Sequence, residues 1–205
     1  DGIHADIAVG IGDGTITITD CYEGIEGTTI TINDGDIDIT SDEDAITAET
    51  TVNITGGQFN NFSGGGYTAT IAADFSAKGI KGLVSVLIGG GTFVMNCADD
   101  AIHSNDAITI NSGTFSIATK DDGIHADSTI KINGGTINIT SCYEGIESAV
   151  ITINDGNIHI ASSDDGINVA GGNDGSGTWP PPPGGGGNST YFLYINGGYI
   201  VVNAA

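Results

Sequence analysis

The feature that most constrains this chain is a period. The segment Asp121-Asp122-Gly123-Ile124-His125-Ala126-Asp127 returns almost intact as Asp1-Gly2-Ile3-His4-Ala5-Asp6, and weaker copies fall between and beyond. With the isoleucine as anchor the series is Ile3, Ile25, Ile46, Ile80, Ile102, Ile124, Ile146 and Ile167. Its steps are 22, 21, 34, 22, 22, 22 and 21 residues. A fixed step of this size marks stacked repeats, each unable to bury its apolar side alone.

The unit reads best from Ile124, after which apolar residues stand at Ile130, Ile132, Ile137 and Ile139. The same set follows Ile102 as Ile108, Ile110, Phe115 and Ile117, and follows Ile80 as Val86, Ile88, Phe93 and Met95. Members of each pair are two apart, so they share one face of a short strand, and β-branched residues favour strands over helices. Between the second and third strands sits a turn ending in glycine, such as Asp13-Gly14, Asp34-Gly35, Ser112-Gly113 and Gly134-Gly135. Glycine supplies the positive φ that such a turn demands. A hairpin reading fails because every strand would need an antiparallel partner out of register. The expected fold is all-β, a right-handed parallel β-helix (solenoid) of about 22 residues and three short strands per coil, with about 8–9 coils. It forms a single domain over residues 1–205, with loop insertions near 60–77 and 171–190.

The 205 residues hold 26 acids, four lysines and no arginine, for a net charge of -22. That balance excludes nucleic acid as a partner and opposes attraction to anionic membranes. No stretch is long and apolar enough for membrane insertion as a spanning helix. The chain starts at Asp1 inside a repeat, as expected of a mature product or an excised segment. Cys21, Cys97 and Cys142 each lie four or five residues before an anchor. Cys97 and Cys142 then sit about two layers, on the order of 10 Å, apart, beyond disulfide reach, so these thiols are expected to be buried in a turn ladder.

The acids recur at one phase. Two residues before the anchors stand Asp1, Glu23, Asp44, Lys78, Asp100, Asp122, Glu144 and Asp165. Asp99, Asp121 and Asp164 precede this column, and Asp6, Glu26, Glu49, Asp106, Asp127 and Glu147 follow the anchors. Like charges about 4.8 Å apart repel by roughly 3–4 kcal/mol per pair at an effective dielectric of 20. A bound cation relieves this, and Ca²⁺, which takes six to eight oxygens, is the expected cofactor, with these sixteen acids as candidate ligands. Solvated surface acids would explain the net charge but not the phase. The nonapeptide calcium repeat and the EF-hand loop are both absent. His4, His103 and His125 share the column after the anchor, where the intervening Glu26, Thr47 and Lys81 favour a hydrogen-bonding column over zinc.

The segments DDGIHAD, INGGTINITS, YEGIE and SSDDGINVAGG resemble a calcium-binding β-helical carbohydrate-binding domain family of cellulolytic clostridia. The resemblance covers essentially the whole chain. It implies a right-handed β-helix shaped like pectate lyases, calcium in the acidic turns, and an extracellular or cell-surface location. It also implies binding to polygalacturonate or cellulose without cleavage. The calcium residues it implies are those of the DDGIHAD, YEGIE and DDGIN segments.

Three functions then compete. A uronate lyase would need a strong base near calcium, an arginine in pectate lyases; here only Lys78 and Lys81, flanking one anchor, are candidates. The expectation is therefore no enzyme. Polysaccharide binding would use calcium as a bridge to acidic glycans, or aromatic stacking on neutral ones by Trp179, Tyr67, Tyr191, Tyr22 and Tyr143. Head-to-tail self-association into filaments is the third reading. Joining Ala205 to Asp1 continues the repeat as Val-Val-Asn-Ala-Ala-Asp-Gly-Ile-His, and heterologous contacts that do not close generate fibres.

Overall fold

The computed structural model describes residues 1–72, 75–170 and 191–205. It is a parallel β-solenoid of eight rungs, each opened by one of the anchors, with strands alone among the described residues. The first two strands of a rung run on as one bent strand in Ile3–Ile11, Ile25–Ile32, Ile46–Ile54, Ile124–Ile132 and Ile146–Ile153. They separate in the other three rungs, as Ile80–Gly82 with Ser85–Ile88, Ile102–Ser104 with Ala107–Ile110, and Ile167–Asn168 with Phe192–Ile195. Together they form one sheet. The third strands form a second, eight-stranded sheet running from Thr15–Cys21 to Tyr199–Ala204.

Registry follows the sequence period. Ile102 pairs with Ile80 and Ile124, and Ile124 with Ile146, so each anchor lies on the next. Rungs one residue shorter take up the difference between the first and second strands, where Ala5–Ala8 faces Gly27–Thr29. The inward residues are almost wholly buried; Ile32, Ile54, Ile88, Ile110, Ile132 and Ile153 each expose 0%. Phe59, Phe93 and Phe115 stack face to face at 4.7 Å in adjacent rungs. Leu193, Ile195 and Val202 stand in the same inward columns on the last rung and are exposed.

Two kinds of glycine define the unit. The turn glycines take positive φ, from 96° at Gly198 to 131° at Gly113. The glycine of the DDGI and YEGI segments answers a packing demand instead. A Cβ on Gly24 would strike the Ala45 carbonyl oxygen and Ile39 Cγ2, and one on Gly145 the Gly166 oxygen and Ile160 Cγ2. Ala45 and Ala101, fully buried in the same column, mark the largest side chain that it holds.

The insertion of the third rung leaves after Gln58–Ser63 and returns at Ile80–Gly82. It replaces the turn that carries the acids, which places it beside the corresponding turns of the following rungs. The insertion expected at 171–190, with Trp179, lies outside the described residues.

Candidate functional site

The turn from the second sheet into the next anchor brings two columns face to face. Two residues before and one residue after the anchor are three apart around a tight bend, so both point away from the isoleucine core. The first column is largely buried at its middle: Asp44 exposes 1%, Asp100 3%, Asp122 5% and Glu144 0%. These acids are structural before anything else. One oxygen of each of the three aspartates accepts the backbone N–H of the same position one rung on: Lys78 N to Asp44 Oδ1 at 2.8 Å, Asp122 N to Asp100 Oδ1 at 3.0 Å, and Glu144 N to Asp122 Oδ1 at 3.2 Å. Carboxylates thus cap turn amides that have no strand partner.

What neutralises the remaining oxygens differs by rung. Lys81 Nζ lies 2.9 Å from Asp44 Oδ2, and Ser76 Oγ donates to Asp44 Oδ1 at 2.7 Å. Lys78 Nζ reaches Asp99 Oδ2 at 2.5 Å and Asp100 Oδ2 at 3.3 Å. His103 Nδ1 adds a contact to Asp100 Oδ2 at 2.8 Å. Burial works to raise the Asp100 carboxyl, but Lys78 and His103 outweigh it and hold it well below the ordinary range. The same acids outweigh burial at Lys78 and lift its pKa, so the ammonium stays protonated. Asp44, Asp99 and Asp100 are therefore served by protein cations. Glu144 receives the Asn168 amide on both oxygens, at 3.0 and 2.9 Å.

Elsewhere the acids face one another. Glu23, Glu26 and Glu49 line a pocket of about 90 Å³ with Thr47 and Lys81. Burial first, then Glu26, Asp44 and Glu43, push the Glu23 carboxyl up to about 7. Asp1, His4 and Glu26 form a further group of mutually close ligand atoms, and His4 Nε2 also meets Asp6 at 3.1 Å. Asp99, Asp100 and Asp121 form another. Asp106 and Asp165 are exposed and belong to no such group among the described residues, while Asp127 and Asp164 are half-buried. Asp127 Oδ1 lies 3.6 Å from His125 Nε2.

Beside this column the insertion forms one wall of a groove of about 660 Å³. The insertion supplies Thr70, Ile71, Ala72, Phe75, Ser76 and Lys78, and the turns opposite supply Ala98, Asp99, Lys120, Asp121 and Tyr143. A second groove of about 540 Å³ shares Lys120 and is lined by Tyr67, Thr140, Ser162, Ser163 and Asn203 among others. The structure thus brings Tyr143 and Tyr67 to two grooves joined at Lys120. Tyr22 packs edge-on to Phe75 at 6.2 Å, and Tyr191 is exposed elsewhere.

A family model described as carbohydrate-binding domain-containing protein matches residues 1–123 and 119–166. The chain belongs to this family. No curated protein and no solved structure matches it. Family and solenoid fold together support a polysaccharide-binding role for this carbohydrate-binding domain.

Sequence reasoning missed Lys120 and Phe75 as groove residues. A signal for Lys120 existed: it stands four residues before its anchor, where the other rungs have Cys21, Asp42, Ser76, Ala98, Cys142 and Ser163. Nothing local marked Phe75, because its position depends on where the insertion lies. The thiols are free as expected, with Cys97 and Cys142 buried and their pKa pushed up to about 12 by burial.

Proposed function

We propose that this carbohydrate-binding domain binds acidic polysaccharide without cleaving it, at an extracellular surface, with calcium held by its turn carboxylates. The observation that carries the reading is the groove between the insertion and the turns. In a chain with four lysines, two of them line it, together with Tyr143 and Phe75. The exposed Lys120 ammonium would meet a uronate carboxylate, and Tyr143 and Phe75 would supply aromatic surface for the C–H side of a sugar. Asp99 and Asp121 would repel the glycan unless a cation is shared between protein and ligand.

Calcium fits part of the donor set. The pocket of Glu23, Glu26 and Glu49 presents three carboxylates, with Lys81 on its wall already paired to Asp44, and holds Glu23 at a raised pKa that a further cation would reverse. When bound there, calcium would fix the second and third rungs. Lys78, the nearest groove base, is ion-paired and held protonated, which removes it as a base for β-elimination and supports a non-catalytic role.

Retention on polygalacturonate, with cellulose as the neutral comparison, tests this. Wild-type protein is expected to be retained with calcium and released by EDTA, and Lys120→Met with Tyr143→Ala to weaken retention at least about 10-fold. Retention unchanged by both EDTA and the double substitution overturns the reading.

A further inference from the structure

The buried acids of the turn column are balanced by protein cations at Asp44, Asp99 and Asp100, and the balance stops at the sixth rung. Asp122 and Glu147 are 5% and 1% exposed, and among the described residues no lysine pairs with either. Among the described residues, both Glu147 carboxylate oxygens are buried without a hydrogen-bond donor, and His125 Nε2 is buried without a hydrogen-bond partner. Asp122 spends Oδ1 on the Glu144 amide and keeps Oδ2, which lies 3.5 Å from His125 Nδ1. The side-chain amide of Asn168, the strand partner of Glu147, donates to Glu144 instead. Ligand atoms of Asp122, His125 and Glu147 lie within 4.8 Å of one another.

Two buried carboxyls side by side share a proton or ionise together only at high cost, and a cation between them removes that cost. Two rungs away the chain shows what fills such a place: Lys81, in the same column as His125 and Glu147, sets its ammonium against Asp44. Methionine or alanine would have avoided the cost at Glu147; a glutamate beside a histidine creates a donor set. Two carboxylates and one imidazole suit a borderline divalent ion better than calcium, which favours oxygen alone. Donors about 2.0–2.2 Å from a tetrahedral ion stand about 3.4 Å apart, which side-chain movements of about 1 Å provide here.

We propose that Asp122, His125 and Glu147 bind one divalent cation of the zinc class, clamping the sixth rung to the seventh. Water completes its coordination. The site goes beyond glycan binding and uses none of the groove residues, so its failure and the failure of polysaccharide binding are read separately.

The test is titration of the full chain, stripped with EDTA, with Zn²⁺ and with Ca²⁺ by calorimetry. Zn²⁺ is expected to bind and to resist displacement by equimolar Ca²⁺. Glu147→Gln and His125→Asn are each expected to weaken Zn²⁺ by more than about 100-fold, beyond the 10–100-fold cost of losing an outer-shell partner. His159→Asn, on the outward face of the second sheet, should leave affinity unchanged. Imidazole ¹⁵N shifts supply a readout in the unmodified protein, should a variant fail to fold: Zn²⁺ should move the His125 resonances and leave those of His159 in place. Affinity unaltered in Glu147→Gln, displacement of Zn²⁺ by equimolar Ca²⁺, or His125 resonances that ignore Zn²⁺ overturns the proposal.

Discussion

Replacing Lys81 by methionine removes the ammonium from a carboxylate that has nowhere to go. Asp44 is 1% exposed, and Lys81 Nζ sits 2.9 Å from its Oδ2. At that distance and an effective dielectric of 20 the attraction is about 6 kcal/mol, much of it offset by desolvation of the two ions. Deleting one partner of a buried pair costs about 3–5 kcal/mol, because the other charge stays behind. Asp44 would keep the Ser76 hydroxyl and the Lys78 N–H at 2.7 and 2.8 Å, which places the loss near the lower bound, about 3 kcal/mol. For a chain of this size that lowers Tm by roughly 6–12 °C. Asp44→Asn in the Lys81→Met background should recover most of the loss, since the amide oxygen accepts the same two hydrogen bonds. Urea denaturation followed by circular dichroism and by tyrosine fluorescence measures both, provided the two probes coincide. A Lys81→Met protein within about 0.5 kcal/mol of wild type, or an Asp44→Asn change that gives no rescue, would refute the reasoning.

Two further outcomes follow from the core and from the acidic pocket. Phe93 is 0% exposed and stacked on both faces, so Phe93→Ala should cost about 3–5 kcal/mol in urea denaturation; a loss below about 1 kcal/mol would mean that the stack closes up after truncation. Glu23 has a folded pKa of about 7 against an ordinary 4.5, so without metal its contribution to stability is complete below pH 4.5 and is lost as pH rises through 7. Calcium needs the carboxylate, so the rise in Tm on adding calcium should be larger at pH 8 than at pH 5.5. A calcium response that is flat with pH would remove Glu23 from the calcium set.

The period, the pairs of apolar residues and the turn glycines determined the solenoid, because each rung repeats the same local demand and in-register stacking is the arrangement that meets all of them. The sequence also determined that acids would line one turn. What became of each acid was decided by tertiary structure. Asp99-Asp100-Ala101-Ile102-His103 and Asp121-Asp122-Gly123-Ile124-His125 are nearly the same local sequence. Yet Asp100 is held below its ordinary pKa, whereas burial, Asp100 and Asp121 push Asp122 up to about 10. The difference is the neighbour one rung away: Lys78 beside Asp100, and Asp100 itself beside Asp122. The groove has the same origin, since Phe75 and Lys120 meet only because the insertion lies beside the turns of later rungs. In a solenoid the bonds that fix strands run between residues about 22 apart and recur, so the repeat reveals them. The bonds that make a site also run across rungs, but each joins two particular side chains once, and no local pattern records which.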